Sequence, residues 1–207
     1  MAEQIYTFAL TTVARVKDRL GITVSTNDAE ILRLINAVTD LIEGETGRRF
    51  MYGTVTSEVH EIRGVNDMIP IKQAPINTIT SIEYSTGIGS NRTWVTLDTS
   101  LYEKMGDGKS GLIKVWGGLG RGINAVRVTY TGGYKIAWSA AGDNNTHTLP
   151  ADLTDLAERL VTKYWKRREA EGKSSEGIAN ASIQWRSDLE KADQQILDRH
   201  RRLPELV

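Results

Sequence analysis

Residues 27–50 read NDAEILRLINAVTDLIEGETGRRF, which is the most regular helical pattern in the chain. Apolar residues recur there at spacings of three and four, so they share one face of an amphipathic helix. Asn27 and Asp28 favour a first turn, and Gly47 supplies the left-handed residue that ends many helices. The apolar face comprises Ile31, Leu34, Ile35, Val38, Leu41 and Ile42. The pattern predicts a long helix with a single buried face.

A shorter helix is predicted just before it, in LTTVARVKDRLG at 10–21. Thr11 or Thr12 can cap its first turn, and Gly21 can take the left-handed position after its last turn. Ser25 or Thr26 then provides a helix-start signal ahead of the long helix. This pair of helices carries no reactive group, so we interpret it as a packing and assembly element.

Alternation replaces the helical periodicity after Gly47. TVTSEVHEI (54–62), MIPI (68–71) and INTITSIEY (76–84) are predicted strands, and Pro70 favours an edge position for the second. Four further strands are predicted in WVTL (94–97), LYEK (101–104), GLIKVW (111–116) and NAVRVTYTGGY (124–134). Two-residue periodicity with regular glycines predicts an antiparallel sheet or a small β-barrel.

A third helix is predicted beyond a polar loop at 139–149. The sequence LPADLTDLAERLVTKYWKRRE (149–169) starts near Pro150, and Asp152 and Asp155 lie near the positive end of the helix dipole. Its apolar stripe comprises Leu153, Leu156, Ala157, Leu160, Val161 and Tyr164.

Residues 171–181 (EGKSSEGIANA) are predicted to form a flexible loop ahead of a last helix. Ser187 and Glu190 give the S-x-x-E pattern of a capping box, and Pro204 ends the helix. The apolar side of this helix comprises Trp185, Leu189, Ala192 and Ile196.

The order is therefore helices, strands and helices again, without an internal repeat. The helices at the two ends must pack together, because neither end carries enough apolar surface alone. We predict an α+β fold in a single domain over 1–207. Residues 10–50 and 149–203 would form a small helical bundle, and about 52–138 would be an inserted antiparallel sheet or small barrel.

Composition excludes several classes of function. The chain has 26 basic and 26 acidic residues, so it lacks the positive excess of a protein that wraps DNA. It has no cysteine, which excludes disulfides, thiol nucleophiles and cysteine-ligated metals. The first residues lack a signal-peptide pattern, and no stretch reaches the ~20 apolar residues of a spanning helix. We expect a soluble protein of the cytoplasm with no membrane partner.

No motif predicts catalysis. GGLGRG at 117–122 resembles a phosphate-binding loop, but a strand follows it, so we interpret it as a hairpin turn, like TGGY at 131–134. His60, His147 and His200 lie in different elements, which argues against a metal site. We expect no enzyme, cofactor or metal. The carboxylates Asp152, Asp155 and Glu158 are explained by their favourable position near the positive start of a helix, without a catalytic role.

The tryptophans leave two interpretations open. Three of them lie in or beside the β region, where they could stack on sugars or bases. Core or interface packing is favoured, because basic residues do not alternate with them. The five are Trp94, Trp116, Trp138, Trp165 and Trp185.

The order of these patterns resembles the head–tail connector proteins (adaptor, or head-completion, proteins) of long-tailed bacteriophages and related prophages. The resemblance rests on LTT…VKDRLGI from residue 10 onward, on 27–50, on 149–169 and on LDRHRRLPEL at 197–206. It implies a virion protein of the neck, at the head–tail interface, that is assembled in the host cytoplasm.

The resemblance also implies the partners. These are the portal protein, a stopper or tail-completion protein, and further copies of the chain in a ring that matches the portal's twelve-fold symmetry. Double-stranded DNA would pass through the ring without sequence-specific binding. No membrane contact is implied.

Two sets of residues are candidate contact sites. In such adaptors the C-terminal segment docks on the portal, and guanidinium forks with apolar side chains suit docking. The segment contributes Arg199, Arg201, Arg202, Leu203, Pro204 and Leu206. A basic cluster either complements the helix dipole or faces DNA or a partner. It comprises Lys163, Lys166, Arg167 and Arg168.

Two other functions remain as alternatives. One is a non-catalytic β module on a helical scaffold that binds carbohydrate or protein, which would use Trp94 or Trp116. The other is a hydrolase whose dispersed site would join His60 or His147 to carboxylates.

Overall fold

A computed structural model describes residues 9–62, 68–86, 91–117, 119, 122–135, 148–168, 176–178, 181–183 and 189–202. The chain forms two compact units. The helical unit comprises Met1–Thr46 and Leu149–His200, and the β unit comprises Gly47–Thr148 and Arg201–Val207. The predicted α+β class is confirmed, whereas the single-domain organisation stays a prediction.

The helical unit begins with α1 (Val13–Leu20) and α2 (Asp28–Thr46). The hydroxyl of Thr12 caps α1 by accepting a hydrogen bond from the Arg15 amide at 3.3 Å. Gly21 ends α1 with φ 69°, the left-handed conformation expected of that glycine. The face predicted for α2 is the buried one: Ile31, Ile35, Val38 and Ile42 are buried, and Leu34 and Leu41 are partly buried.

Helix α3 (Ala151–Arg167) begins directly after Pro150, as predicted. Its stripe packs inward as predicted except at the end, where Trp165 is buried and Tyr164 only partly so. A short antiparallel hairpin follows, β8 (Glu176–Ile178) paired with β9 (Ala181–Ile183). These strands lie within and beside the stretch predicted to be a loop. The remainder of that stretch, 171–175 and 179–180, is outside the described residues.

Helix α4 (Lys191–His200) buries a different face from the predicted one. Leu197 and Asp193 are buried, whereas Ala192 is exposed and Ile196 only partly buried. The predicted apolar side was therefore wrong at Ala192, because Asp193 and Leu197, four residues apart, lie on the buried face instead. The predicted capping residue Ser187 and Trp185 lie outside the described residues.

The β unit contains two antiparallel sheets. The four-stranded sheet has the order β1 (Gly53–Ile62), β7 (Gly122–Gly132), β3 (Ile76–Thr86) and β4 (Thr93–Thr96). The three-stranded sheet has the order β2 (Met68–Pro70), β6 (Leu112–Val115) and β5 (Tyr102–Lys104). Strand β2 occupies an edge, as Pro70 predicted. Neither sheet closes on itself among the described residues, so the small-barrel alternative is not realised.

The glycine-rich segment 117–122 links β6 to β7, and these strands belong to different sheets. The hairpin interpretation was therefore wrong, although a strand does follow. The glycines of TGGY, Gly132 and Gly133 at the end of β7, allow other backbone segments to come close to this strand. A Cβ on Gly132 would collide with the carbonyl oxygen of Gln73, and one on Gly133, at φ 88°, with that of Met51.

One apolar core joins the inner faces of the two sheets. Ile69, Ile113 and Val115 contribute from the three-stranded sheet, and Val126 and Val128 from the four-stranded one. These residues alternate with outward-facing neighbours, as expected for strands with one buried face.

Candidate functional site

The last turn of α4 carries the first of the residues predicted to dock. Arg199 Nη1 lies 3.3 Å from Asp152 Oδ2, and His200 Nε2 lies 2.9 Å from the same oxygen. Burial raises the pKa of Asp152, but the His200 imidazole and the Arg199 charge lower it by more, so this pKa lies below its ordinary value. These two α4 side chains are therefore bound to the first turn of α3.

Arg202 is also engaged within its own subunit. Its Nη2 donates to the carbonyl oxygen of Pro70 at 2.5 Å, on edge strand β2 of the β unit. Arg201 is exposed and has its own electrostatic or hydrogen-bond partner. Leu203, Pro204 and Leu206 lie outside the described residues. The docking role of all six residues stays a prediction.

Polar contacts dominate the attachment of α4 to α3. Arg159 Nη1 lies 2.6 Å from Oδ1 of the buried Asp193, and Lys163 Nζ lies 3.4 Å from Glu190 Oε1. Leu197 is the one fully buried apolar side chain among the described residues of α4. A helix held mainly by ion pairs is sensitive to salt and pH, because those contacts are screened or titrated.

The predicted basic cluster divides into paired and unpaired members. Arg168 Nη1 lies 3.1 Å from Glu30 Oε2, and its guanidinium sits 3.3 Å from the ring centroid of the buried Trp165. Lys163 contacts Glu190, as described above. Lys166 is exposed and Arg167 half-buried, and neither makes an ion pair within the described part of the chain. The charge available to a partner thus comes chiefly from these two.

A shallow groove of about 470 Å³ lies beside the cluster in the helical unit. Arg19, Lys163 and Lys166 line it together with Glu190 and Asp193. Arg159 lines the groove as well, so four basic side chains stand against two acidic ones and the groove carries a net positive charge. It has no arrangement that would activate a nucleophile or hold a substrate.

The α3 carboxylates, predicted as helix-start charge, also hold α1 in place. Glu158 Oε1 lies 2.6 Å from Arg15 Nε, and Asp155 Oδ1 lies 2.8 Å from Arg19 Nη1. The hydrogen bond from Arg19 lowers the pKa of Asp155 below its ordinary value. These long-range pairs have no local sequence signal, because their members lie more than 130 residues apart.

Sequence reasoning missed a buried polar cluster in the β unit. The Tyr130 hydroxyl accepts from the Gln73 amide at 3.1 Å and donates to Glu58 Oε2 at 2.5 Å. Glu58 Oε1 accepts from the Lys72 amide at 3.1 Å and lies 3.3 Å from His60 Nε2. A β-bulge between Val55 and Glu58 turns this carboxylate inward.

The pKa values of this cluster follow from its geometry. Burial raises the pKa of Glu58, but His60, Tyr130 and the Lys72 amide lower it by more, so the carboxylate stays ionised near neutral pH. Burial, and then the Glu58 carboxylate, raise the pKa of Tyr130 far above its ordinary value. Both groups therefore keep one protonation state, which fits a structural role.

The remaining candidate residues are dispersed. Trp94 is covered by the Arg127 guanidinium, 4.6 Å from its ring centroid, whereas Trp116 is exposed. His147 and Trp138 lie outside the described residues. Among the described residues, no group of three or more His, Cys, Asp or Glu side chains could hold a metal ion. No described helix is both long and apolar enough for a membrane span.

The comparisons with known proteins agree with this picture of the fold. The sequence matches the family described as Head completion protein over residues 9–203. The chain belongs to the Head completion protein family, which confirms the resemblance found in the sequence. No curated protein matches the sequence.

Solved structures share the fold along almost the whole chain. A chain from the "Neck of empty GTA particle computed with C6 symmetry" is 22% identical, with TM-score 0.59 and 99% of this chain and 95% of that chain covered. One from the "Neck of native GTA particle computed with C12 symmetry" is 21% identical, with TM-score 0.57 and the same coverages. One from the "Virion of native gene transfer agent (GTA) particle" is 18% identical, with TM-score 0.57, again covering 99% and 95%.

Proposed function

We propose that this chain is a non-enzymatic adaptor of a phage-like neck that binds the portal ring and extends the DNA channel toward the stopper or tail. The observation that carries the proposal is the family match over residues 9–203. The shared fold with chains from neck structures of C6 and C12 symmetry supports a ring of copies at the head–tail interface. Such a ring closes by repeating one head-to-tail contact between neighbours.

The portal-docking segment in this proposal is 199–207. Its apolar residues would fill a groove on the portal, and its arginines would meet carboxylates there. The structure adds a condition, because Arg199 and Arg202 already have partners within the subunit. Docking by these two arginines requires exchange of an internal contact for a portal contact. Leu203, Pro204 and Leu206 lie beyond the described residues, and their docking is a separate part of the proposal.

Two truncations test this division. The first ends the chain after Arg202 and keeps every described contact, and the second ends it after Asp198. We expect the first to weaken binding to purified portal rings at least tenfold, and the second to abolish it. Circular dichroism should show both variants folded, because α4 keeps Leu197 and Asp193. Wild-type binding by both truncated proteins in a pull-down would refute the docking role.

The DNA-facing role of the basic cluster concerns chiefly Lys166 and Arg167. A path for double-stranded DNA needs positive or neutral walls, because phosphates repel acidic side chains. Replacing both residues with Glu should reduce DNA retention in assembled particles while portal binding persists. The control is Lys191→Glu, which makes the same type of change at an exposed position of α4. Equal DNA retention in the two variants would show that the basic cluster does not face DNA and only complements the dipole at a solvated helix end.

A further inference from the structure

The three-stranded sheet has a second apolar face. Pairing of Glu103 with Lys114, and of Met68 with Lys114, fixes which side chains point away from the core. The backbone extends this pairing, since the Trp116 amide donates to the Leu101 carbonyl at 2.8 Å and the Met105 amide to that of Leu112 at 3.0 Å. We call the outward apolar set the outer apolar face: Met68, Pro70, Leu101, Met105, Leu112 and Trp116.

Three members of the outer apolar face are exposed to an unusual degree. Trp116 is 43% exposed, Met105 38% and Leu101 37%, while the others are partly buried. Glu103 and Lys114 stand opposite each other on the same face, so it carries one charge of each sign and no net charge. The face therefore suits an apolar partner surface rather than a strongly charged one.

The outward side of the four-stranded sheet is built differently. Thr54 and Thr131 face each other across β1 and β7 at 3.5 Å, and Arg127 forms a two-pronged contact with Glu83 at 2.5 and 2.8 Å. Hydroxyl and ionic pairs are the usual solvent-facing side of an antiparallel sheet. Val59, Val95 and Ile123 are exposed apolar residues on this sheet as well, but these hydroxyl and ionic pairs share the sheet with them.

We propose that a neighbouring copy of this chain covers the outer apolar face in the assembled ring. The inference rests on the proposed ring. Its area supports this occupant: six partly exposed side chains present on the order of a few hundred Å², the size of functional patches on monomers. A stable pair of free proteins needs about 800 Å² per partner. A contact of this size is weak in solution, but becomes effective when a portal aligns the copies and the ring closes.

The absence of net charge on the face agrees with a second copy as the occupant. The chain itself has a formal net charge of zero, so copies approach without long-range repulsion. Contacts between identical subunits are also more apolar than transient contacts with other proteins. Within the part of this face that the structure describes, the charged side chains open to a charged partner are Glu103 and Lys114.

The test compares Trp116→Glu with a matched control, Val95→Glu. Val95 is 40% exposed on β4, on the other sheet, so both variants place one carboxylate at an exposed apolar position. We would titrate each protein onto portal rings and count bound copies by mass photometry. We expect Val95→Glu and wild type to fill portals cooperatively. Trp116→Glu should need at least tenfold higher concentration and give partly filled portals.

A second measurement separates this inference from the proposed function. Sedimentation equilibrium at high protein concentration, without a portal, should show weak self-association of wild type that Trp116→Glu loses and Val95→Glu keeps. If the wild-type protein fails to bind portals, the proposed function fails. Sedimentation equilibrium alone then tests whether the outer apolar face mediates self-association. Wild-type behaviour of Trp116→Glu in both assays, or no self-association of a wild type that cannot bind portals, would overturn the inference.

Discussion

Replacing Tyr130 with Phe removes one buried oxygen and no carbon, which makes it a clean probe of the polar cluster in the β unit. The ring packs in the core, where Tyr130 has no exposed surface. Its hydroxyl accepts from the Gln73 amide and donates to the Glu58 carboxylate. The substitution therefore leaves a buried N–H without its acceptor and a buried carboxylate without one of its donors.

The magnitude follows from those two contacts. An orphaned buried amide costs about 1–3 kcal/mol, and a hydrogen bond to a charged group contributes about 1.5–3 kcal/mol. Easier burial of Phe offsets part of this loss, so we expect the free energy of unfolding to fall by about 2–4 kcal/mol. At roughly 2–4 °C per kcal/mol for a chain of this size, Tm should fall by about 5–15 °C.

Urea unfolding at a series of pH values from 7 downward provides the assay. The folded-state pKa of Glu58 is lowered, so its ionised form stabilises the fold above the unfolded pKa, and this stabilisation is lost as pH falls through the folded pKa. The deficit of Tyr130→Phe should therefore shrink as the pH falls through the folded-state pKa of Glu58, because the charge-assisted part of the hydrogen bond is then lost.

The control is Tyr102→Phe, in the same unit. Tyr102 is also buried, but its hydroxyl makes no hydrogen bond within the described part of the chain, so the change should cost under ~0.5 kcal/mol. Equal stabilities of the two variants at neutral pH, or a Tyr130→Phe deficit that does not depend on pH, would show that the cluster does not hold the sheet.

Two further predictions concern the backbone and α4. Gly133→Ala should lower the free energy of unfolding by at least ~3 kcal/mol, because φ is 88° and the new Cβ would meet the Met51 carbonyl. Gly44 lies in open space on α2, so Gly44→Ala should raise the free energy of unfolding by ~0.5–1 kcal/mol. Urea midpoints of the two glycine variants that shift in the same direction would contradict these expectations. Asp152→Asn should speed hydrogen exchange of the α4 amides at pH 7, because His200 loses its carboxylate partner. In the wild-type protein, the protection of the α4 amides from exchange should fall as pH drops through the lowered pKa of Asp152. Equal protection in the wild type and the variant at every pH would refute the role of this contact.

The sequence predicted those features that depend on neighbours along the chain. Thr12 and Gly21 bound α1 because capping uses groups within one turn, and Pro70 marks an edge strand because it lacks an amide to donate. The class of fold and the family likewise followed from the order of periodic segments.

Features that depend on distant partners could not be predicted in this way. Asp193 faces inward because Arg159, 34 residues earlier, is there to receive it. By simple alternation along the strand, Glu58 would point outward. The β-bulge between Val55 and Glu58, in which Ser57 has φ 56°, reverses that alternation and turns Glu58 inward. The glycines of 117–122 signal a turn but carry no information about which sheet receives the next strand.

Internal pairing of charge bears directly on how an adaptor could bind. The arginines at 199 and 202 and the basic residues at 163 and 168 have partners inside the subunit. Exchanging such a contact for one with a portal replaces one ion pair or hydrogen bond with another, so the net electrostatic gain is small. In the proposed docking, affinity would then come from apolar side chains such as Leu203 and Leu206 and from the repetition of weak contacts around the ring. Charge would instead set the orientation of docking, and the outer apolar face would supply the cooperativity that fills the ring.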